Sequence, residues 1–180
     1  MKFFNYINEI LSLEKTMIGF SIKTYSLSKV INHLKEILFN YNVREYEIIK
    51  DPHITIAQIT SKVPKDEIIR EIDKIKINFE FKPKKLKVLH GKFVPFDFIT
   101  IEYKKNDNFK NIFNLLSSKF DVIRFPGGNI PHVSLIKIPK NLISDNEFFE
   151  TIENLNIKLP RIKPVSIVLY NKKYEVEYEK

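Results

Sequence analysis

The chain has 180 residues, 43% of them hydrophobic, with 15 Phe and 8 Tyr; that is enough for one sizeable core, or for two half-domains sharing one. It has no cysteine and only four histidines, scattered along the sequence. Disulfides and thiolate metal sites are therefore excluded, a reducing cytoplasm is suited, and a metal cofactor gains little support. The net charge of +8 and pI near 9.4 point to an anionic partner, a nucleotide or nucleic acid, although part of the excess follows from an Asn-, Ile- and Lys-rich composition of the AT-rich kind.

In chain order, Phe3, Phe4, Ile7, Ile10 and Leu11 recur at helical spacing, so residues 3–13 read as a short amphipathic helix that packs as an appendage. Residues 17–25 alternate with a β-branched bias and predict a strand. Ser26 or Ser28 is a candidate cap for a helix with the stripe Val30, Ile31, Leu34, Ile37 and Leu38; His33 lies beside the stripe as a surface residue. Residues 44–49 predict a strand that leads through Asp51-Pro52 into a further strand at 53–60. Pro64 opens a second helix carrying Ile68, Ile69, Ile72 and Ile75. Residues 77–81 and 86–90 read as a strand pair around the basic turn Lys82-Pro83-Lys84-Lys85.

A strand over 98–103 follows, then a helix capped by Asp107 with Phe109, Ile112, Phe113 and Leu116 inward. The loop Arg124-Phe125-Pro126-Gly127-Gly128-Asn129 leads into a strand beginning at His132. This loop reads either as an ordinary turn before a strand or as an anion site, in which the paired glycines let backbone N–H groups approach and Arg124 adds charge. Asp145 is a candidate cap for a helix over about 146–155, and strands near 165–170 and 173–179 close the chain. No stretch approaches the ~18 uncharged apolar residues of a membrane span, and the N-terminus lacks the pattern of a secretory signal.

Within this order one short pattern occurs twice: Pro52-His53-Ile54-Thr55-Ile56 with Ile59 beyond, and Pro131-His132-Val133-Ser134-Leu135 with Ile138 beyond. Side chains alternate along a strand, so each histidine shares a face with the hydroxyl two positions on while the aliphatic neighbours point to a core. Two such strands side by side would present two imidazoles and two hydroxyls to one surface, able to grip a phosphate and move protons on either side of it. A single His-x-Ser/Thr is weak, because a lone histidine is commonly a structural hydrogen-bonder.

The rest of the chain repeats in step with the pattern. A slide of 79 residues sets Phe20 and Ile22 on Ile99 and Ile101, and Leu34, Ile37, Tyr41 and Val43 on Phe113, Leu116, Phe120 and Val122. A slide of 80 sets Ile68, Ile69, Ile72 and Ile75 on Phe148, Phe149, Ile152 and Leu155, and Val88-Leu89 on Val168-Leu169. Self-similarity at this period argues for two copies of one supersecondary unit. The expected architecture is one α+β domain spanning 1–180: an appendage at 1–16, lobe one at 17–92, lobe two at 93–180, and the motif strands at the junction.

His53-Ile54-Thr55 and His132-Val133-Ser134, each in an apolar strand of a pseudo-duplicated chain, resemble the paired motifs of the 2H phosphoesterase superfamily, which includes the 2′-5′ RNA ligase-like proteins. The proline before each histidine and the hairpin Val165 to Tyr178 agree with it, and the resemblance covers residues 17–180. It implies antiparallel sheets flanked by helices around a central cleft. It also implies a cofactor-free, metal-independent phosphodiesterase acting on 2′,3′-cyclic or 2′-5′-type bonds of RNA ends or oligonucleotides. His53 and His132 become the acid–base pair, with Thr55 and Ser134 on the non-bridging phosphate oxygens. One branch resembles phage anti-CBASS nucleases that degrade cyclic oligonucleotide defence signals; a reading of another class is a non-catalytic RNA-binding module. Affinity for a nucleoside also needs an aromatic wall, for which Tyr25, Phe125, Tyr170 and Tyr174 are candidates, with Arg124 for charge. The expected setting is a monomer in the cytoplasm of a bacterium or a phage-infected cell, with no membrane partner.

Overall fold

The computed structural model describes residues 16–60, 62–91, 94–123, 129–142, 146–171 and 175–180. The expected helix over 3–13, the Asp145 cap, and the candidate binding residues Arg124, Phe125 and Tyr174 lie outside these. The strands are β1 (Thr16–Ser21), β2 (Glu47–Ile48), β3 (His53–Ile59), β4 (Pro83–His90), β5 (Phe96–Tyr103), β6 (His132–Pro139), β7 (Ser166–Tyr170) and β8 (Val176–Glu179). The helices are α1 (Ser28–Asn40), α2 (Lys65–Ile72), α3 (Asp107–Lys119) and α4 (Asn146–Glu153). The strands make two four-stranded antiparallel sheets in the orders β3-β1-β7-β8 and β2-β6-β5-β4.

Apolar alternation selects the buried face of each sheet. Ile18 and Phe20 of β1, Ile54 and Ile56 of β3, Ile99 and Ile101 of β5, and Val133 and Ile136 of β6 are fully enclosed, each such burial stabilising by about 1.5–3 kcal/mol. Both sheets share one core, and Phe81 sits at its centre. Its ring meets Phe20 of the first sheet at 6.0 Å, Tyr103 of the second at 6.2 Å and Phe109 of α3 at 5.8 Å, separations typical of favourable aromatic pairs.

The duplication is visible as two equivalent triplets, β3-β1-β7 and β6-β5-β4. Ser21 lies opposite His53 and Glu102 opposite His132, so the first strands correspond at an offset of 81, whereas the motif strands correspond at 79. A slip of two residues restores every side chain to its own face, so hydrophobic pattern alone could not detect it.

The halves of the sequence do not coincide with the two sheets. β7 and β8, from beyond residue 93, complete the first sheet, while β2 and β4, from before 92, complete the second. The segments after α1 and α3 also cross over. β2 pairs with β6, and Val122 bridges to Ile59 with Thr60 N–H donating to the Asp121 carbonyl at 2.9 Å. Tyr41, at the end of α1, packs edge-on against Phe148 of α4 at 5.2 Å, and its hydroxyl lies 2.8 Å from that of Thr151. The division into 17–92 and 93–180 therefore describes the repeat in sequence and not the lobes in space.

Other local expectations shift as well. Residues 83–90 form one strand paired with β5, while Phe81 bridges to Ile162, so Lys82–Lys85 is not a hairpin turn. A single 3-10 turn over Thr24–Leu27 precedes α1, whose N-cap is Leu27; neither serine caps it, and the Ser28 hydroxyl donates to the Tyr25 carbonyl at 2.9 Å. Asn106, not Asp107, caps α3, its Oδ1 accepting from Phe109 N–H at 2.8 Å; Asp107 stands in the first turn, where its charge faces the helix dipole.

Candidate active site

The two motif strands are not side by side. β3 is an edge strand of the first sheet, β6 is an inner strand of the second, and the two touch without pairing. What brings them together is a reciprocal tie made at equivalent irregularities. Opposite β1, the register of β3 jumps from Ala57 to Thr55, leaving Ile56 as an extra residue; opposite β5, β6 jumps from Ile136 to Ser134, leaving Leu135. A bulge releases its backbone groups from the ladder. Both released carbonyls are taken by the segment approaching the other motif: Ile56 accepts from Asn129 Nδ2 at 3.0 Å, and Leu135 from Ile49 N–H at 2.9 Å. Asn129 lies three residues before His132, and Ile49 four before His53.

The motifs themselves have the same burial sequence. His53 and Thr55, like His132 and Ser134, are half-buried, while Ile54, Ile56, Val133 and Leu135 are closed off in the core. Each histidine is anchored alike. His53 Nδ1 is 3.0 Å from the Asp51 carbonyl, and His132 Nδ1 is 2.9 Å from the Ile130 carbonyl. A carbonyl only accepts, so Nδ1 carries the proton and Nε2 keeps its lone pair in the neutral ring. Such an imidazole is a base at Nε2, and once protonated it is an acid at the same atom.

The surroundings differ. The His53 ring packs against the Tyr170 ring at 5.1 Å. Gly19, opposite Thr55, makes room for this: a Cβ there would stand 3.2 Å from the Ile54 carbonyl oxygen, 3.4 Å from the Tyr170 ring and 3.6 Å from the His53 ring. Met17, Val168 and Tyr170 form a small apolar cluster on this face, apart from the main core, and Thr55 Oγ1 donates to Met17 Sδ at 3.4 Å. Burial, foremost, and then the charge of His132 lower the His53 pKa from the ordinary 6.5, against the Asp51 carbonyl, which raises it; burial also pushes the Tyr170 hydroxyl up to about 12. Around His132 the equivalent places hold Glu102 opposite the imidazole and Thr100 opposite Ser134. Glu102 is buried and ion-paired with Lys84 at 2.5 Å.

Of the aromatic candidates, Tyr170 stands at the site, but at 4% exposure it offers its face to His53 and not to a base. Tyr25 is 73% exposed, on the turn tied near the His53 end of the sheet by Thr24 Oγ1 donating to the Lys50 carbonyl at 3.4 Å. Sequence reasoning missed Gly19, Asn129 and Glu102. Gly19 did leave a signal, since glycine inside a strand often marks a close approach. Glu102 left none, because its meaning depends on a cross-strand partner thirty residues away.

No family model and no curated protein matches the sequence. Among solved structures, the chain is similar to Usb1 of Kluyveromyces marxianus, at 10% identity and a TM-score of 0.64 over 94% of this chain and 98% of that one. It is similar to the same protein with uridine monophosphate, at 8% identity and 0.64 over 92% and 97%. It is also similar to TT0787 of Thermus thermophilus, at 9% identity and 0.52 over 92% and 96%. At these identities the likeness is one of fold: the chain has the two-sheet α+β architecture of these proteins, the one implied by the resemblance to the 2H phosphoesterases.

Proposed function

We propose that the chain is a metal-independent phosphodiesterase of the 2H type that cleaves 2′,3′-cyclic or 2′-5′-type phosphodiester bonds at RNA ends or in oligonucleotides. The observation that carries this reading is the matched anchoring of His53 and His132. On facing strands, each Nδ1 is committed to a carbonyl two residues back, and each Nε2 is left for proton transfer. One imidazole takes the proton of the attacking water or hydroxyl, and the other gives a proton to the leaving oxygen, a pair of transfers of which each contributes typically 10²–10⁴-fold. Thr55 and Ser134, on the same faces as their histidines, donate to the non-bridging oxygens as charge grows on them. A nucleotide or RNA substrate agrees with the net charge of +8 and with a nucleotide having been seen with Usb1.

The test is to incubate the purified, EDTA-treated protein with 2′,3′-cyclic nucleotides, 2′-5′ oligoadenylate and 3′,3′-cyclic dinucleotides. Cleavage of the first or second supports the reading. Cleavage of the third alone transfers the activity to cyclic defence signals, and cleavage of none with retained RNA binding leaves a binding module.

A further inference from the structure

Charge on the histidine-bearing face of the second sheet is distributed in rows. Opposite residues of antiparallel strands share a face, and from His132 the row runs through Glu102 of β5 to Lys85 of β4, while from Ser134 it runs through Thr100 to Lys87. Lys84 is the extra residue of a bulge, and its ammonium neutralises Glu102. Lys85 and Lys87 have no ion pair among the described residues. The equivalent rows of the first sheet pass through Ser166 and Val168 of β7, and the Val168 row goes on to Glu179 of β8, so they carry no lysine and one carboxylate.

Edge strands often carry lysine merely to deter pairing with other chains, and β4 is the outer strand of its sheet. That edge is already covered in part by α4, however, where Glu153 Oε1 accepts from Val88 N–H at 3.1 Å. Both unpaired lysines also point to the histidine face, while Leu86 and Val88 between and beside them are buried in the core. With strands about 4.8 Å apart, Lys85 and Lys87 stand roughly 10 Å from the motif strand, a few nucleotide spacings at most.

We propose that the β4 face bearing Lys85 and Lys87 is a track for the phosphodiester backbone of a single-stranded polynucleotide, so that the bond brought to His53 and His132 belongs to the end of a longer strand. This rests on the phosphodiesterase reading for the identity of the reacting bond; the lysine face itself is judged by binding.

The test compares wild type, the Lys85→Gln/Lys87→Gln variant, and a Lys29→Gln/Lys158→Gln variant that loses the same charge from exposed positions on α1 and in the connection after α4. Thermal melting checks that all are folded. The first readout is fluorescence anisotropy with a labelled oligodeoxythymidylate of about ten nucleotides, which has the same backbone but no 2′-hydroxyl to react. The β4 variant is expected to bind roughly ten-fold more weakly than wild type at about 0.1 M salt, and its salt slope to fall by about 1.4, the value for two lost single-strand phosphate contacts. The control variant stays near wild type. The second readout is kcat/KM, which falls in the β4 variant for an oligomer but not for a dinucleotide. Unchanged affinity, or a loss matched by the control variant, overturns the track. Loss of binding together with a wild type that cleaves no substrate removes the phosphodiesterase reading and leaves the track standing; cleavage with no length-dependent effect of the lysines does the reverse.

Discussion

The two halves of the site share a backbone and differ in nearly everything laid on it. Around His53 the neighbouring rows hold Ser21, Gly19, Ser166, Val168 and Tyr170; around His132 they hold Glu102, Thr100, Lys85, Lys87 and Leu89. One imidazole stands in an apolar, aromatic setting and the other beside a buried carboxylate and lysines. The repeat thus holds two histidines anchored alike, and different residues at the cross-strand positions make their surroundings unlike. The motifs themselves carry none of that difference, which sits one and two strands away.

The largest expected effect is one in which the halves behave alike. His53→Ala and His132→Ala each lower phosphodiester cleavage by about 10²-fold or more while the protein stays folded; Thr55→Ala and Ser134→Ala cost about ten-fold. Steady-state rates with circular dichroism check this, and full activity in either histidine variant would remove the paired mechanism.

Next comes a substitution that imposes one half on the other. Gly19→Thr places in the first half the residue found at the equivalent position, Thr100. With its Cβ 3.2 Å from a backbone oxygen and 3.4 Å from the Tyr170 ring, overpacking costs on the order of 1–3 kcal/mol and displaces the His53 ring. Activity is expected to fall about ten-fold with a lower Tm, whereas Thr100→Gly lowers Tm with a smaller change in rate.

A smaller effect, of several fold, is expected where the halves are tied. Asn129→Ala leaves the Ile56 carbonyl without its donor, a loss of about 1 kcal/mol in stability, and lowers kcat with KM nearly unchanged because the histidines lose mutual position while each lobe stays intact. An equal rise in KM would show that the tie serves substrate binding.

The smallest effect is on pH. Burial disfavours the His53 imidazolium, so its pKa lies below 6.5, and with His53 as base the acid limb of kcat/KM falls below pH 6.5. Between the folded pKa and 6.5 the unfolded chain binds more protons than the folded one, so this residue's contribution to stability drops as pH falls through that window and is constant above it. Tyr170→Leu, which copies Leu89 into the aromatic half, is expected to move the acid limb up toward 6.5 with a few-fold change in rate. A pH–rate profile measured on both proteins checks the direction, and a limb that stays in place would separate the Tyr170 ring from the titration.

Much of this was written in the sequence by local rules. Alternation fixes which side of a strand faces a core, so His53 with Thr55 and His132 with Ser134 were legible as outward pairs, and the α+β class followed from the order of periodic segments. Pairing between distant strands obeys no local rule, and there the tertiary structure decided. It placed β3 and β6 in different sheets, drew β7 and β8 back to β1, and set the first-strand offset at 81 where pattern suggested 79. The physical reason is that a strand reports its own face through a period of two, but its partner, its register and any slip by an even number of residues leave that period unchanged. Tyr170 against His53, Glu102 beside His132 and Asn129 on the Ile56 carbonyl all depend on such partners, so only the folded chain could bring them to the site.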